Sequence, residues 1–403
     1  MTTNTNTTLE SGLSAEMRVF YSDYLIDNAM PKLVHDQFGQ KHPIPKNGGK
    51  TIQFRRYSPL DKAMTPLTEG VTPDGQKLNV STVEATVRQY GRYIELSDML
   101  VLTAVDNNIV QATKLLGAQA GATLDTITRE VLNGGTNVQY AEGQVSGRHK
   151  LTGGRESGNH YLTVDAVRRA ARYLKTQNAE KIGGSYVAII HPDTAYDLMS
   201  DPAWQNVKTY CDPEDMYAGE IGRIAGVRFV ETTEAKIFKG RGLTNAAGAL
   251  TVKTAAASGS KTVAVNEAVS QEEASALAGR YVIIGGERYK VASATAGSAG
   301  SASITLTENA VQAAGDKVYP GEGGAEGRAV YSTLVLGENA YGVTELQGGG
   351  LQHIVKQLGS SGTADPLDQR GSCGWKAVRT AERLVEPFMV RIETCSTFDG
   401  EPN

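Results

Sequence analysis

The segment that most constrains this chain is a pair of alternating runs held apart by a long, proline-punctuated loop. Between Lys50 and Tyr57, Ile52, Phe54 and Arg56 fall on one side and Thr51, Gln53, Arg55 and Tyr57 on the other, the period-two pattern of a strand. A second run, Ser81 to Gln89, puts Val83, Ala85 and Val87 on one face. About 23 residues lie between them, including Pro59, Pro66 and Pro73, where a hairpin loop ordinarily has two to five. The strands therefore bound a long projecting loop. Such a ribbon has two unpaired edges and little apolar surface to bury, so it is marginal alone and needs a partner surface. This segment points to assembly rather than to a self-contained catalyst.

The 403-residue chain as a whole has the material for a packed core: 40% of residues are hydrophobic and 21% charged, which excludes a disordered class, and the length suggests two or three domains. A formal charge of −4 argues against a dedicated nucleic-acid binder, whose affinity comes from a basic face that releases counterions. Cys211, Cys373 and Cys395, odd in number and widely spaced, read as reduced thiols of a cytosolic product. Met1 to Thr8 lacks the basic flank and apolar run of a secretory signal, and no stretch reaches the roughly 18 apolar residues of a membrane span. The expectation is a protein that folds where it is made, with no membrane partner.

Along the chain, a polar tip leads into an arm over Ala15 to Phe38, broken at Pro31. Asp106 is a candidate N-cap for a long helix with Ile109, Ala112, Leu116, Ala120, Leu124, Ile127 and Val131 on one stripe. Gln111, Lys114, Gln119, Arg129 and Glu130 keep its other directions polar, and Gly134-Gly135 ends it. A second helix is predicted from Val164 to Gln177, with Val167, Ala170, Ala171 and Leu174 inward and Arg168, Arg169, Arg172 and Lys175 on a solvated or subunit-facing surface. Tyr186 to Ile190 reads as a buried strand and Pro192 opens another helix. With strands at Val227–Glu231, Val330–Leu336 and Phe388–Thr394, these make an α/β core. Residues 243–325 differ in composition, rich in Ala, Ser, Thr and Gly, and carry the hairpin pattern Tyr281–Ile284, Gly285-Gly286, Glu287–Val291. This predicts an inserted small β-sandwich or barrel, flanked by glycines 240, 242, 321, 323 and 324.

Motifs for chemistry are missing. Asn47-Gly48-Gly49-Lys50-Thr51 ends like a phosphate-binding loop, but Ile44 stands where that motif needs glycine, and a strand follows instead of a helix. His35 and His42, with Pro43 next, do not suit a helical metal pair and read as surface or packing histidines. The acidic cluster Asp212, Glu214 and Asp215 lacks the glycine and spacing of a calcium loop. No catalytic residue, cofactor site or metal site is expected, and the protein is read as not an enzyme.

Several blocks, in order, carry a family resemblance: Leu33–Phe38, Pro45–Thr51, Pro66–Pro73, Gln89-Tyr90-Gly91 with Glu95–Asp98, Gly219–Arg223 with Gly226–Phe229, and Asp365–Gly371 with Gly374-Trp375-Lys376. Together they resemble podophage-type major capsid proteins of tailed bacteriophages, a family similar to the Hong Kong 97 (HK97) capsid fold. The resemblance implies an α+β, HK97-like chain: N-terminal arm 1–40, extended-loop hairpin 41–96, spine helix of a peripheral domain 97–135, axial domain 136–242, the inserted β domain 243–325, and 326–403 returning to the axial domain and the peripheral strands.

It also implies a function: self-assembly into hexamers and pentamers of an icosahedral head enclosing double-stranded DNA, which is confined and not specifically read. The expected partners are other copies of the chain, a separate scaffold protein (the arm being too short to hold a fused one), a portal and, as an open option, a decoration protein. The expected location is the virion capsid, made and assembled in the bacterial host cytoplasm. Arg55, Arg56, Arg88 and Arg92, flanking the extended loop, are the candidate inter-subunit residues. Lys77 reads as a solvated loop charge, with no crosslink assigned to it. The sequence leaves open an encapsulin-like compartment shell, and a surface-binding protein with a carbohydrate-binding insert.

Overall fold

In the computed structural model the described residues are all but 1–33, 47, 58–59, 61, 65, 68, 71, 73–74, 104–107, 142–144, 154–159, 210–221, 348–349, 357–366 and 368. Cys211, the acidic cluster 212–215, the Asp106 cap and the arm before Val34 therefore lie outside the described residues. In chain order the strands and helices begin with β1 (Gln40–Lys41), β2 (Thr51–Tyr57), β3 (Val80–Thr86), β4 (Arg88–Ser97), α1 (Asp98–Thr103) and α2 (Asn108–Asn133). There follow β5 (Val138–Tyr140), α3 (Val164–Thr176), β6 (Tyr186–Ile190), α4 (Pro192–Ser200), α5 (Pro202–Thr209), β7 (Arg223–Ile224), β8 (Val227–Glu231) and β9 (Ile237–Phe238). The next stretch holds β10 (Leu250–Thr251), β11 (Ala256–Ala264), α6 (Gln271–Leu277), β12 (Tyr281–Ile284), β13 (Glu287–Thr295), β14 (Ser303–Gln312) and β15 (Lys317–Pro320). Last come β16 (Val330–Leu336), β17 (Tyr341–Glu345), β18 (Gln352–Lys356), β19 (Arg370–Arg383) and β20 (Met389–Thr394). The chain divides into two compact units, Met1–Val131 with Tyr341–Leu384, and Leu132–Ala340 with Val385–Asn403.

The first unit is built on β19. This 14-residue strand pairs antiparallel with β4 over ten residues on one side, and with β17 and β18 on the other, while β1 adds to β17 in parallel. Leu116, Ala120 and Leu124 of α2, one face at steps of four residues, pack against Cys373, Trp375 and Ala377 of β19. The stripe read from the sequence is thus the packed one. Arg129 departs from expectation: it is 2% exposed, and its guanidinium reaches Glu130 Oε1 at 2.8 Å. Asp125, Thr128 and Arg129 form a second, polar buried strip on α2 that apolar periodicity does not reveal.

The second unit holds a seven-stranded sheet, order β5-β20-β16-β6-β8-β7, with β9 beside β16. Helices α3, α4 and α5 pack on one face of it in a single apolar cluster that includes Leu174, Leu198, Trp204, Ile190, Val335 and Ile392. Thr163 caps α3 by accepting from Ala166 N–H, and His191 caps α4 with Pro192 in the first turn. Glu393 of β20, fully buried, accepts from Arg148 Nε at 2.8 Å and is ion-paired with Arg391, whose Nε lies 2.8 Å from Oε1. Arg391 also donates to the Asn133 carbonyl, and the Arg148 guanidinium lies 3.4 Å above the centre of the Phe238 ring. Cys373 and Cys395 are buried free thiols, and burial pushes the Cys395 thiol up to about 12.

Within this unit, residues 250–320 form a six-stranded sheet in the order β10-β15-β12-β13-β14-β11. A bridge between Val252 and Val265 joins the two end strands, with Lys253 N–H on the Ala264 carbonyl and Asn266 N–H on the Thr251 carbonyl, so the sheet closes on itself. Gly285 and Gly286 both have positive φ, 58° and 79°, as the two-residue turn between β12 and β13 requires. Ser270 and Glu273 make a capping box on α6, whose Ala274 and Leu277 pack into the apolar interior. The flanking glycines are not loose hinges. A Cβ on Gly321 would stand 2.7 Å from the Tyr281 carbonyl carbon, and one on Gly323 would stand 2.4 Å from the Arg328 oxygen. Arg280 pairs with Glu322 at 3.1 Å, and Lys150 with Glu287 at 2.9 Å, so the barrel sits against its stems through ion pairs.

Removing Glu393 would leave Arg391 buried without its counter-charge. Glu393→Ala is expected to destabilise free subunits by about 3–5 kcal/mol, measured as a lowered urea midpoint, with Glu393→Gln losing less. An unchanged midpoint for the Ala variant would mean that Arg391 is compensated elsewhere.

Candidate assembly surface

β2 and β3 pair antiparallel over seven residues, Thr51 opposite Thr86 through Tyr57 opposite Val80, and form a two-stranded sheet of their own. Ile52 stands across from Ala85 and Phe54 from Val83, so the apolar alternation of both strands falls on one face. Gln53 Nε2 donates to Glu84 Oε1 at 2.7 Å on the other. Phe54 meets the His42 ring edge-on at 5.3 Å and lies beside Gly342 of β17, where a Cβ would stand 3.3 Å from its ring. The base of the ribbon is therefore packed.

Its far end is not. Leu60, Met64, Leu67, Leu78 and Val80 are exposed, Met64 by 81% and Leu67 by 77%. Fully burying a side chain of this size contributes roughly 1.5–3 kcal/mol, so covering even half of these would supply on the order of 5 kcal/mol per subunit. Scattered exposed leucines mean little, but a run of them on one projection marks an interaction surface. The prolines indicate the loop from sequence alone. Its apolar side chains, without a regular spacing, are the signal that sequence patterning does not pick out.

Arg55 lies on β2 opposite Thr82, exposed. Arg56 is opposite Ser81 in the backbone register, and its side chain is outside the described residues. Arg88 and Arg92 are exposed on β4, opposite Arg379 and Trp375 of β19. The structure thus places the four on two separate sheets. Lys77 is exposed, as expected.

Arg88 opposite Arg379 would be an unfavourable like-charge pair. Arg379 is neutralised by Asp36 at 2.7 Å and Glu345 at 3.5 Å, both on the segments that frame the ribbon's base. Asp36 also accepts from Thr128 Oγ1 at 2.6 Å, while neighbouring His35 gives its backbone N–H to Asp125 Oδ1 at 2.8 Å and sets Nδ1 2.7 Å from Oδ2. The Tyr341 hydroxyl donates to the His35 carbonyl. His35, read as an ordinary histidine, is a fully buried one that fastens the chain to α2 just before the ribbon begins, whereas His42 is exposed. Among the described residues no three His, Cys, Asp or Glu side chains converge to hold a metal, and no helix is long and apolar enough to cross a membrane.

Residues 80–236 match the family model described as phage capsid protein. The solved capsid of cyanophage P-SCSP1u is similar over 91% of this chain and 89% of that one, at 11% identity and a TM-score of 0.55. The cyanophage Pam1 capsid is similar over 94% of each chain, at 12% identity and 0.54, and the capsid of Ralstonia phage GP4 over 99% and 100%, at 12% and 0.52. No curated protein matches by sequence. By its middle part the chain is similar to phage capsid proteins. Its fold is the HK97-like α+β capsid fold, established by the structural likeness at identities too low to carry more. Proteins of that fold act through the surfaces they offer other subunits, and here the ribbon, held at its base, is such a surface.

Burial raises the Asp36 carboxyl above the ordinary carboxylate range, outweighing Arg379 and the Thr128 hydrogen bond, which pull it down. A carboxyl whose folded pKa lies above its unfolded one binds more protons in the folded state. Its contribution is intact below the unfolded value, near pH 4, and is lost as pH rises through the folded one. In the Asp36→Asn variant that part of the fall in stability with rising pH should vanish, read as a flatter plot of urea midpoint against pH. Parallel plots for both proteins would show that Asp36 is not its source.

Proposed function

We propose that this capsid protein builds hexamers and pentamers that close into an icosahedral head around packaged double-stranded DNA. The observation that carries this reading is the ribbon, packed at its base and apolar at its exposed tip. A second copy can cover the tip and supply partners to the open strand edges. Residues 1–40 act as the arm, 41–96 as the extended loop, 97–135 as the spine, and 136–242 with parts of 326–403 as the axial domain. Residues 243–325 form the inserted domain, on the outer face, where packed DNA does not compete for space. A separate scaffold protein sets curvature, a portal takes one vertex, and assembly happens in the host cytoplasm before the protein resides in the virion. DNA is held without sequence recognition, consistent with a net charge of −4.

Electron micrographs of the purified protein should show rings or shells, and protease should cut the 58–79 loop in free subunits but not in particles. A compact monomer at high concentration, with that loop already protected, would count heavily against the proposal. Arg55, Arg56, Arg88 and Arg92 are proposed to make charge-assisted contacts with neighbouring copies. Arg55→Ala combined with Arg56→Ala is expected to lower particle yield several-fold while shifting subunit stability by no more than about 0.5 kcal/mol. Equal yields would leave these arginines as solvated charges.

A further inference from the structure

Helix α3 carries a row of cations that no carboxylate among the described residues neutralises. Arg168, Arg172 and Lys175 are exposed and, at steps of four and three residues, share one face. No carboxylate lies within ion-pair distance of any of the three among the described residues, whereas Arg169 one position away is engaged with Asp165 at 2.7 Å. The opposite face, Val164, Val167, Ala171 and Leu174, is buried in the cluster shared with the sheet, so the row looks outward from the helix layer. Asp201 belongs to the same layer, but its carboxylate is occupied by the Val164 and Ala203 amides. A chain with net charge −4 has concentrated positive charge here against its own average.

A row from residue 168 to 175 spans about 10 Å. That is about three phosphate steps along one strand of duplex. The side chains are long and flexible, suited to a charge whose position varies, and nothing about them selects a base. A contact with another copy would want a complementary acidic row, and no helix among the described residues presents one. We propose that the α3 row is the surface this subunit turns toward packaged double-stranded DNA, so that the helix layer of the second unit lines the inside of the head. The inference rests on the shell reading above and goes further by assigning the face and the residues.

The test uses DNA-filled particles. An amine-reactive ester carried on dextran too large to enter the shell should leave Lys175 unmodified in particles and modify it in dissociated subunits. Formaldehyde applied to filled particles should couple Lys175 to DNA, and the yield should drop several-fold in Arg168→Gln, Arg172→Gln particles, in which the adjoining phosphate contacts are gone. Modification of Lys175 from outside, or coupling to a peptide of a neighbouring copy instead of DNA, would overturn the assignment while leaving the shell reading intact. Failure of the shell reading shows differently, as the absence of particles from the unmodified protein, and takes this inference with it.

Discussion

The ion pair between Asp36 and Arg379 ties together parts of the first unit that no local interaction could join. Asp36 lies near the end of the arm, Arg379 stands on the long strand β19, Thr128 comes from α2, and Glu345 ends β17. Both charged groups are nearly buried, so the pair gives up water on both sides, and an attractive distance of 2.7 Å does not by itself make it stabilising. It contributes register. Asp36 can meet Arg379 and Thr128 together only if β19, α2 and the chain leaving the arm hold one relative position. His35 on Asp125, one residue away, repeats the constraint from the other side of the backbone.

That constraint is what lets the ribbon of β2 and β3 project. A seven-residue strand pair has little stability of its own, and its tip leaves large apolar side chains in water. If the base could swing, fixing it on contact with another subunit would cost conformational entropy comparable to the gain from burying the tip. Phe54 against His42 and Gly342, and the bridge between Ile44 and Leu346, set the base in advance. The subunit is accordingly rigid where the ribbon starts and unsatisfied where it ends.

Local pattern made much of this legible. Strands Tyr186–Ile190, Val227–Glu231 and Val330–Leu336 stand where their apolar runs put them, and the Gly285-Gly286 turn follows from a backbone that only glycine adopts without strain. What escaped was long-range or polar. Asp36 and Arg379 lie far apart in sequence, and neither residue type signals burial. Arg129 looks like a surface residue of a helix because periodicity counts apolar side chains only. The closure of the small sheet hangs on Val252 meeting Val265 between strands that the sequence shows merely as alternating, which is why sandwich and barrel could not be told apart there. The apolar tip of the ribbon was in plain view as Leu60, Met64, Leu67 and Leu78, but lacked a period to make it a pattern.

The glycines around residues 243–325 show how the same residues admit opposite physical readings. On sequence they mark where an inserted domain leaves and rejoins a surface loop. In the structure Gly321, Gly323 and Gly324 are places where backbones touch, too close for any Cβ, and the stems they form are clamped. Phe238, just before the insert, lies under the Arg148 guanidinium, which reaches Glu393 in the core sheet, and Glu322, just after the barrel's last strand β15, holds Arg280 at the start of the β12–β13 hairpin. The route from the barrel to the centre of the seven-stranded sheet is therefore a chain of paired charges and stacked rings within one unit. The sheet's buried carboxylate thus holds, through Arg148, the ring of Phe238 and the carbonyl of Glu322, one on each stem of the barrel.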